Sequence, residues 1–251
     1  MKLLIICAGD RSKYFIAHNC LKYIHKTKDH LTVCVLDKNK KIISFLKKKG
    51  IKFISKDFNK FFNNIKKNEY DWLLNIWGYK ILKKNFLKKF KNNLNLHPAF
   101  LPFNRGRDPY YFSIMNNTPI GICIHKMDET IDGGRFFLRK EFNFKFPVNA
   151  GKVFDTSLKE IRDMFISNWT KLRNNEIKLK KFTPKISQIN KRKELVKNNF
   201  IDLDDKNFKR EKLFVLNCLA QNFDFLKLQV KIFNKVYDCD LKLIKNKKKN
   251  W

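Results

Sequence analysis

Residues 95–109 read NLHPAFLPFNRGRDP, and the fold is read outward from this stretch. An apolar run ends in Asn95 and His97, then Pro98, then a loop with two arginines and an aspartate. In a β-strand, side chains two apart share a face, so Asn95 and His97 point together at whatever occupies the strand end. Pro98 breaks the strand and helps fix the exit loop. Alone, an N-x-H pair is more often a satisfied histidine that caps a strand. Asp108-Pro109 reads as a helix start, with Asp as N-cap and Pro at the first helical position.

Upstream, strand-like and helix-like segments alternate. Lys2–Cys7 is a buried strand, and Ser12 caps a helix running to about Lys26. Leu31–Leu36 is a strand, Lys38–Lys49 a helix stopped by Gly50, Ile51–Ser55 a short strand and Phe58–Lys67 a helix. Trp72–Trp77, helical Leu82–Phe90 and the strand Leu94–His97 complete the series. This alternation predicts an α/β, doubly wound, Rossmann-like parallel sheet, whose ligands bind at the carboxyl ends of the strands. Downstream, Pro119–Met127 and Arg135–Phe144 form a strand pair, followed by a long helix over Asn149–Arg173. Residues 174–193 read as a basic loop, Lys209–Gln221 as a helix, and Leu226–Phe233 with Val236–Ile244 as a hairpin around Asn234-Lys235. The expected organisation is a catalytic domain over residues 1–180 and a small α+β extension over 181–251 that ends in the hairpin.

Lys and Arg outnumber Asp and Glu by 55 to 23, a formal net charge of +32. Such a charge raises nucleic acid as a partner, because phosphate binding is largely electrostatic. The basic residues are spread along the chain among Asn, Ile and 25 Phe, so compositional bias with a solvated surface is favoured and nucleic acid is an unlikely partner. No apolar run approaches the ~20 residues needed to cross a bilayer, and Met1–Cys7 is cut short by Gly9, Asp10 and Arg11. A cytoplasmic protein without membrane association is expected. The six cysteines lack C-x-x-C pairing and ligand-like spacing with His, which predicts free thiols and no zinc site.

The second chemical element is Met127–Gly134, MDETIDGG, with three carboxylates before two glycines. An acidic hairpin turn accounts for it, and a calcium loop needs more oxygen ligands at regular spacing. Glycines permit the tight backbone geometry that lets Asp132 approach a neighbouring strand end.

NLHPAFLPFNRG and IHKMDETIDGG together resemble the folate-dependent formyltransferase family, whose strand end N-x-H-P precedes L-P-x-x-R-G and then H-x-x-D-E-x-x-D-x-G. NIWGYKIL resembles that family's G-Y-R-x-I segment, so the likeness covers roughly residues 70–140. It implies Asn95, His97 and Asp132 as a catalytic trio. A histidine of near-neutral pKa suits a general base, and an asparagine amide suits an oxyanion donor. Asp132 would hold and polarise His97. The resemblance further implies N10-formyltetrahydrofolate as donor without a metal, its pterin near Ile81, Leu82 and Asp128.

Within that family, AGDRS at Ala8–Ser12 departs from the Gly-Asn-Gly-Ser phosphate loop of the glycinamide ribonucleotide enzymes. NRGRDPYYFSI and the short carboxyl-terminal extension look more like sugar-nucleotide N-formyltransferases. That likeness implies a nucleotide-linked, dTDP-type 3- or 4-amino-dideoxy sugar as substrate, an O-antigen or similar glycan as destination, and a homodimer through the hairpin. Methionyl-tRNA formyltransferase is the alternative. Lys80 is a candidate for the pyrophosphate, with a solvated lysine equally possible. Arg105 and Asp108 are candidates for the sugar pocket, or else for bracing the loop and capping the helix. The Tyr-His-like pair expected near Ser187–Asn190 in many relatives is missing. His125 reads as structural, and Tyr110-Tyr111 as packing.

Overall fold

The run KLLIIC forms the strand on which the sheet is centred. In the computed structural model, which describes residues 1–9, 15–144, 148, 150–182, 189–198, 200–202, 228–232 and 234–239, β1 (Lys2–Cys7) pairs in parallel with strands on both sides. Its residues alternate between two cores. Leu3, Ile5 and Cys7 pack into one apolar cluster, Leu4 and Ile6 into another, which is what a sheet covered on both faces requires.

The elements follow the chain as α1 (Ile16–His25), β2 (His30–Val35), α2 (Lys40–Lys48), β3 (Lys52–Ile54), α3 (Phe58–Asn64), β4 (Trp72–Ile76), α4 (Lys84–Leu87) and β5 (Asn92–His97). Next come β6 (Arg105–Gly106), α5 (Pro109–Met115), β7 (Ile120–His125), β8 (Phe136–Phe142) and α6 (Ala150–Arg173). The carboxyl-terminal part contributes β9 (Ile189–Asn190), α7 (Arg192–Asn198), β10 (Phe200–Asp202), β11 (Leu228–Ile232) and β12 (Lys235–Cys239). The main sheet has the order β3-β2-β1-β4-β5-β7-β8. The first five strands are parallel, as the alternating pattern predicts, but β7 and β8 join antiparallel, so the sheet is mixed at one edge.

α6 lays Leu158, Ile161, Phe165, Trp169 and Leu172 on the sheet at three- and four-residue spacing. Trp169 meets Trp72 of β4 edge to face at 5.7 Å. On the opposite face, Phe62 stacks on Phe86 at 4.5 Å. Asn39 caps α2 by accepting from Ile42 N, and Gly50 takes the left-handed conformation that stops the chain there.

Three expectations are corrected. The helix read over Leu82–Phe90 is a single turn, Lys84–Leu87, because Phe86, Leu87 and Phe90 are fixed by tertiary packing and not by a long amphipathic face. Asp108 stands at the N-cap of α5 with Pro109 at its start, as expected, but its backbone is left-handed (φ 53°) and its carboxylate makes no capping bond, being drawn instead to Tyr110 and Arg192. Residues 174–193 are not all loop, since Ile189–Asn190 pairs in parallel with Arg105–Gly106 and α7 starts at Arg192. The hairpin is present as antiparallel β11 and β12, with left-handed Asn234 in its turn. The expected cap Ser12, the helix Lys209–Gln221 and Cys218 lie outside the described residues.

Candidate active site

The carboxyl ends of β4 and β5 and the adjoining end of β7 converge on one polar cluster. Register sets its first row: Asn75 of β4 lies opposite Asn95 of β5, and Asn95 lies opposite His125 of β7. Asn75 Nδ2 donates to Asn95 Oδ1 at 2.9 Å, which fixes the orientation of the Asn95 amide. Asn95 Nδ2 then faces His125 Nε2 at 3.0 Å and Asp132 Oδ1 at 3.3 Å. His125 Nδ1 donates to the Lys126 carbonyl at 3.1 Å, since a carbonyl can only accept. Gly78 completes the approach, for a Cβ there would meet Asn75 Oδ1 at 2.2 Å.

His97 sits one step further along β5, on the same face as Asn95, with its ring perpendicular to that of His125. Its Nδ1 lies 3.7 Å from Asp132 Oδ2, a contact longer than a hydrogen bond and ionic only when the ring is protonated. Its Nε2 is buried without a hydrogen-bond partner among the described residues. Burial holds the His97 pKa below the ordinary imidazole value, opposed first by the Asp132 charge.

Asp132 reaches the cluster from the turn after β7, in a left-handed conformation (φ 49°). Its Oδ1 lies 3.4 Å from His125 Nε2, and its Oδ2 accepts the Gly106 N–H at 3.0 Å. Burial opposes its ionisation, yet His97, His125 and the Gly106 N–H together hold its carboxyl below the usual carboxylate range. The result is a buried carboxylate against two imidazoles, with one imidazole nitrogen left without a hydrogen-bond partner among the described residues.

Arg105, Asp108 and Gly106 lie on the loop that closes this cluster. Arg105 is buried and donates from Nε to the Ile131 carbonyl at 2.7 Å, so it braces the acidic turn. Asp108 is buried too. Its Oδ1 accepts from Tyr110 Oη at 2.8 Å and pairs with Arg192 at 2.7 Å. Tyr110 and Tyr111 are buried in the apolar cluster around α5.

Lys80, Ile81 and Leu82 lie on the irregular segment after β4. Lys80 Nζ donates to Asn59 Oδ1 at 2.9 Å and borders a recess of about 320 Å³ with Asp57, Phe58, Asn59 and Lys60, so it is not brought into the trio's cluster. Ile81 is 71% exposed, and the backbone of Ile81 and Leu82 makes no hydrogen bond among the described residues. Asp128 is exposed and accepts from Thr130 N and Oγ1 at 2.8 and 2.5 Å. Among the described residues, no group of three His, Cys, Asp or Glu is placed to hold a metal ion, and no helix is long and apolar enough to cross a membrane.

Two members of the cluster escape a reading along the chain. His125 reads as structural, yet it touches both Asn95 and Asp132. Asn75 has one local signal, a polar residue inside the apolar strand WLLNI, and only its neighbour in the sheet gives that signal a meaning.

The formyl transferase family matches residues 22–157, more than half of the chain. A dTDP-4-amino-4,6-dideoxyglucose formyltransferase of Mycobacterium bovis is 25% identical over 113 residues, which cover 45% of this chain and 48% of that protein. A methionyl-tRNA formyltransferase of Borreliella afzelii is 38% identical over 76 residues, 29% of this chain and 24% of that protein. The chain thus spans about half the length, or less, of the curated relatives it matches. Among solved structures, a sugar N-formyltransferase from Shewanella sp FDAARGOS_354 superposes with a TM-score of 0.78 at 20% identity, over 98% of this chain and 99% of that one. The N-formyltransferase from Helicobacter canadensis, solved with folinic acid and dTDP-3-aminofucose, gives 0.69 at 22% identity, over 93% and 85%.

Proposed function

Because this chain belongs to the formyl transferase family, we propose that it moves a formyl group from N10-formyltetrahydrofolate to the amino group of a nucleotide-linked 3- or 4-amino-dideoxy sugar, dTDP-linked by preference. The observation that carries this reading is His97 Nε2, buried without a partner among the described residues while Nδ1 faces Asp132. A buried ring nitrogen in that state suits a general base awaiting an amine proton. The M. bovis relative and the ligands of the H. canadensis structure support the substrate class and the folate donor.

In this reading His97 takes the proton of the attacking amine at Nε2. Asp132 stays ionised, holds the ring and stabilises the imidazolium. Asn95 supplies an N–H to the oxygen of the formyl carbon as charge develops there. Its Nδ2 already faces His125 and Asp132, so it does so by releasing the longer contact, that to Asp132 at 3.3 Å. The free backbone groups of Ile81 and Leu82 fit the amide-like edge of a pterin, with Asp128 closing the far side. The folate would supply an activated formyl carbon and a nitrogen leaving group, which would depart as it takes up the proton held by His97. Arg105 and Asp108 shape the sugar side, and Lys80 serves the pyrophosphate after leaving Asn59.

The proposal extends to a cytoplasmic enzyme making formamido sugars for O-antigen or similar glycans. It takes residues 1–180 as the catalytic domain and 181–251 as an extension that dimerises through its hairpin, where Val236 and Tyr237 are half-exposed. A methionyl-tRNA formyltransferase is the second reading, favoured by the B. afzelii relative and by the +32 charge.

A product assay separates the two. The protein is mixed with N10-formyltetrahydrofolate and dTDP-, UDP- and GDP-linked amino sugars or methionyl-tRNA, and mass spectrometry looks for the added formyl group. A formylated dTDP-sugar is expected. Formylated tRNA with no sugar product overturns the first reading in favour of the second, and no product with either overturns both.

A further inference from the structure

The carboxyl-terminal segment reaches the site by a route the motifs do not mark. Ile189–Asn190 pairs in parallel with Arg105–Gly106, and Arg107 N donates to the Asn190 carbonyl at 3.1 Å. Gly106 has φ 89°, and a Cβ there would lie 2.5 Å from that same carbonyl, so the segment is seated directly on Gly106. Gly106 in turn donates its N–H to Asp132 Oδ2. Two residues past the pairing, Arg192 grips Asp108 at 2.7 Å. Asp108 is buried, left-handed, and held also by Tyr110. Its Oδ2 is buried with no partner among the described residues, where Arg192 and Tyr110 compensate this carboxylate through Oδ1.

We propose that Arg192, acting through Asp108, is a positioning residue for Asp132: the 189–192 segment clamps the 104–108 loop and keeps the Gly106 N–H seated on the Asp132 carboxylate. The consequence for catalysis rests on the reading of His97 and Asp132 given above, whereas the geometry does not. Breaking the clamp frees Asp132 Oδ2 to turn away from His97. Asp132 is the strongest influence raising the His97 pKa against burial, so the His97 midpoint falls. The other groups facing His97 are His125 from β7, which lowers it and stays in place, and Arg105 and the Asn104 backbone, which ride on the clamped loop and act in opposite directions.

The test needs no substrate. Two-bond ¹H–¹⁵N spectra of the imidazoles are recorded against pH for the full chain and for Arg192→Ala, Arg192→Lys and Asp108→Asn, with the His97 signal assigned by its loss in His97→Asn. The expected result is a fall in the His97 midpoint of about half a pH unit or more in Arg192→Ala and Asp108→Asn, largely restored in Arg192→Lys. If Arg192→Ala does not fold, the near-isosteric Asp108→Asn still gives the answer. An unchanged midpoint in a folded variant, with only the melting temperature lowered, makes Arg192 a plain structural brace and overturns the proposal. A shifted midpoint in a protein that formylates nothing in the product assay leaves the clamp standing and removes the function reading.

Discussion

His97 and Asp132 are coupled residues, and their environments act in one direction with pH. The folded pKa of His97 is lowered by burial, so the unfolded chain binds its proton more readily and stability drops as pH falls below about 6.5. Asp132 also has a lowered folded pKa. Its contribution is present above the ordinary Asp value and is lost as pH falls through the folded one. Thermal melts between pH 8 and pH 4 should therefore show a falling midpoint, and the fall should be larger in Asp132→Asn, because losing the carboxylate lowers the His97 pKa further. On the function reading, His97→Asn lowers turnover by about 10²–10⁴-fold with the fold intact. Near-parental kcat with an unchanged circular dichroism spectrum contradicts the assigned role. Asn95 and His97 are legible along the chain because the i, i+2 rule puts them on one face. Asn75 and His125 are not, because their link to Asn95 exists only across strands.

At the scale of elements, β7 and β8 show how tightly the antiparallel edge is built. A Cβ on Gly121 would lie 2.2 Å from the Lys140 carbonyl and 3.0 Å from Phe100 Cβ, so β7 admits no larger residue without moving from β8. Gly121→Ala should lower stability by roughly 1–3 kcal/mol, read by urea unfolding. On α6, Trp169→Ala should cost about 3–5 kcal/mol, since the indole is fully buried against Trp72 and Phe165. Strand identities and the long helix follow from apolar periodicity. The short α4 and the pairing of β6 with β9 do not, because two-residue strands and single turns have too little pattern and are set by what they pack against.

At the scale of the whole molecule, Lys and Arg are spread along the chain and not gathered into one arm. With a formal +32, self-repulsion opposes the compact state, and added salt screens it. The melting temperature should rise between about 20 and 300 mM sodium chloride, whereas a flat response means the lysines are already locally neutralised. The interior is correspondingly closed. Cys7, Cys20, Cys34 and Cys123 are buried and not in a disulfide, and burial pushes the Cys34 thiol up to about 12. These four should resist Ellman's reagent at pH 8 and react only on unfolding.

By itself the sequence determined the α/β alternation, the strand end that presents Asn95 and His97, and the Gly-Gly turn that frees Asp132, because each rests on local periodicity or backbone freedom. Tertiary structure alone decided the rest. Sheet order placed Asn75 and His125 on either side of Asn95, and the return of residues 189–192 laid Arg192 on Asp108. Those contacts join residues from 20 to 84 positions apart, and no short-range pattern encodes which strand will lie beside which.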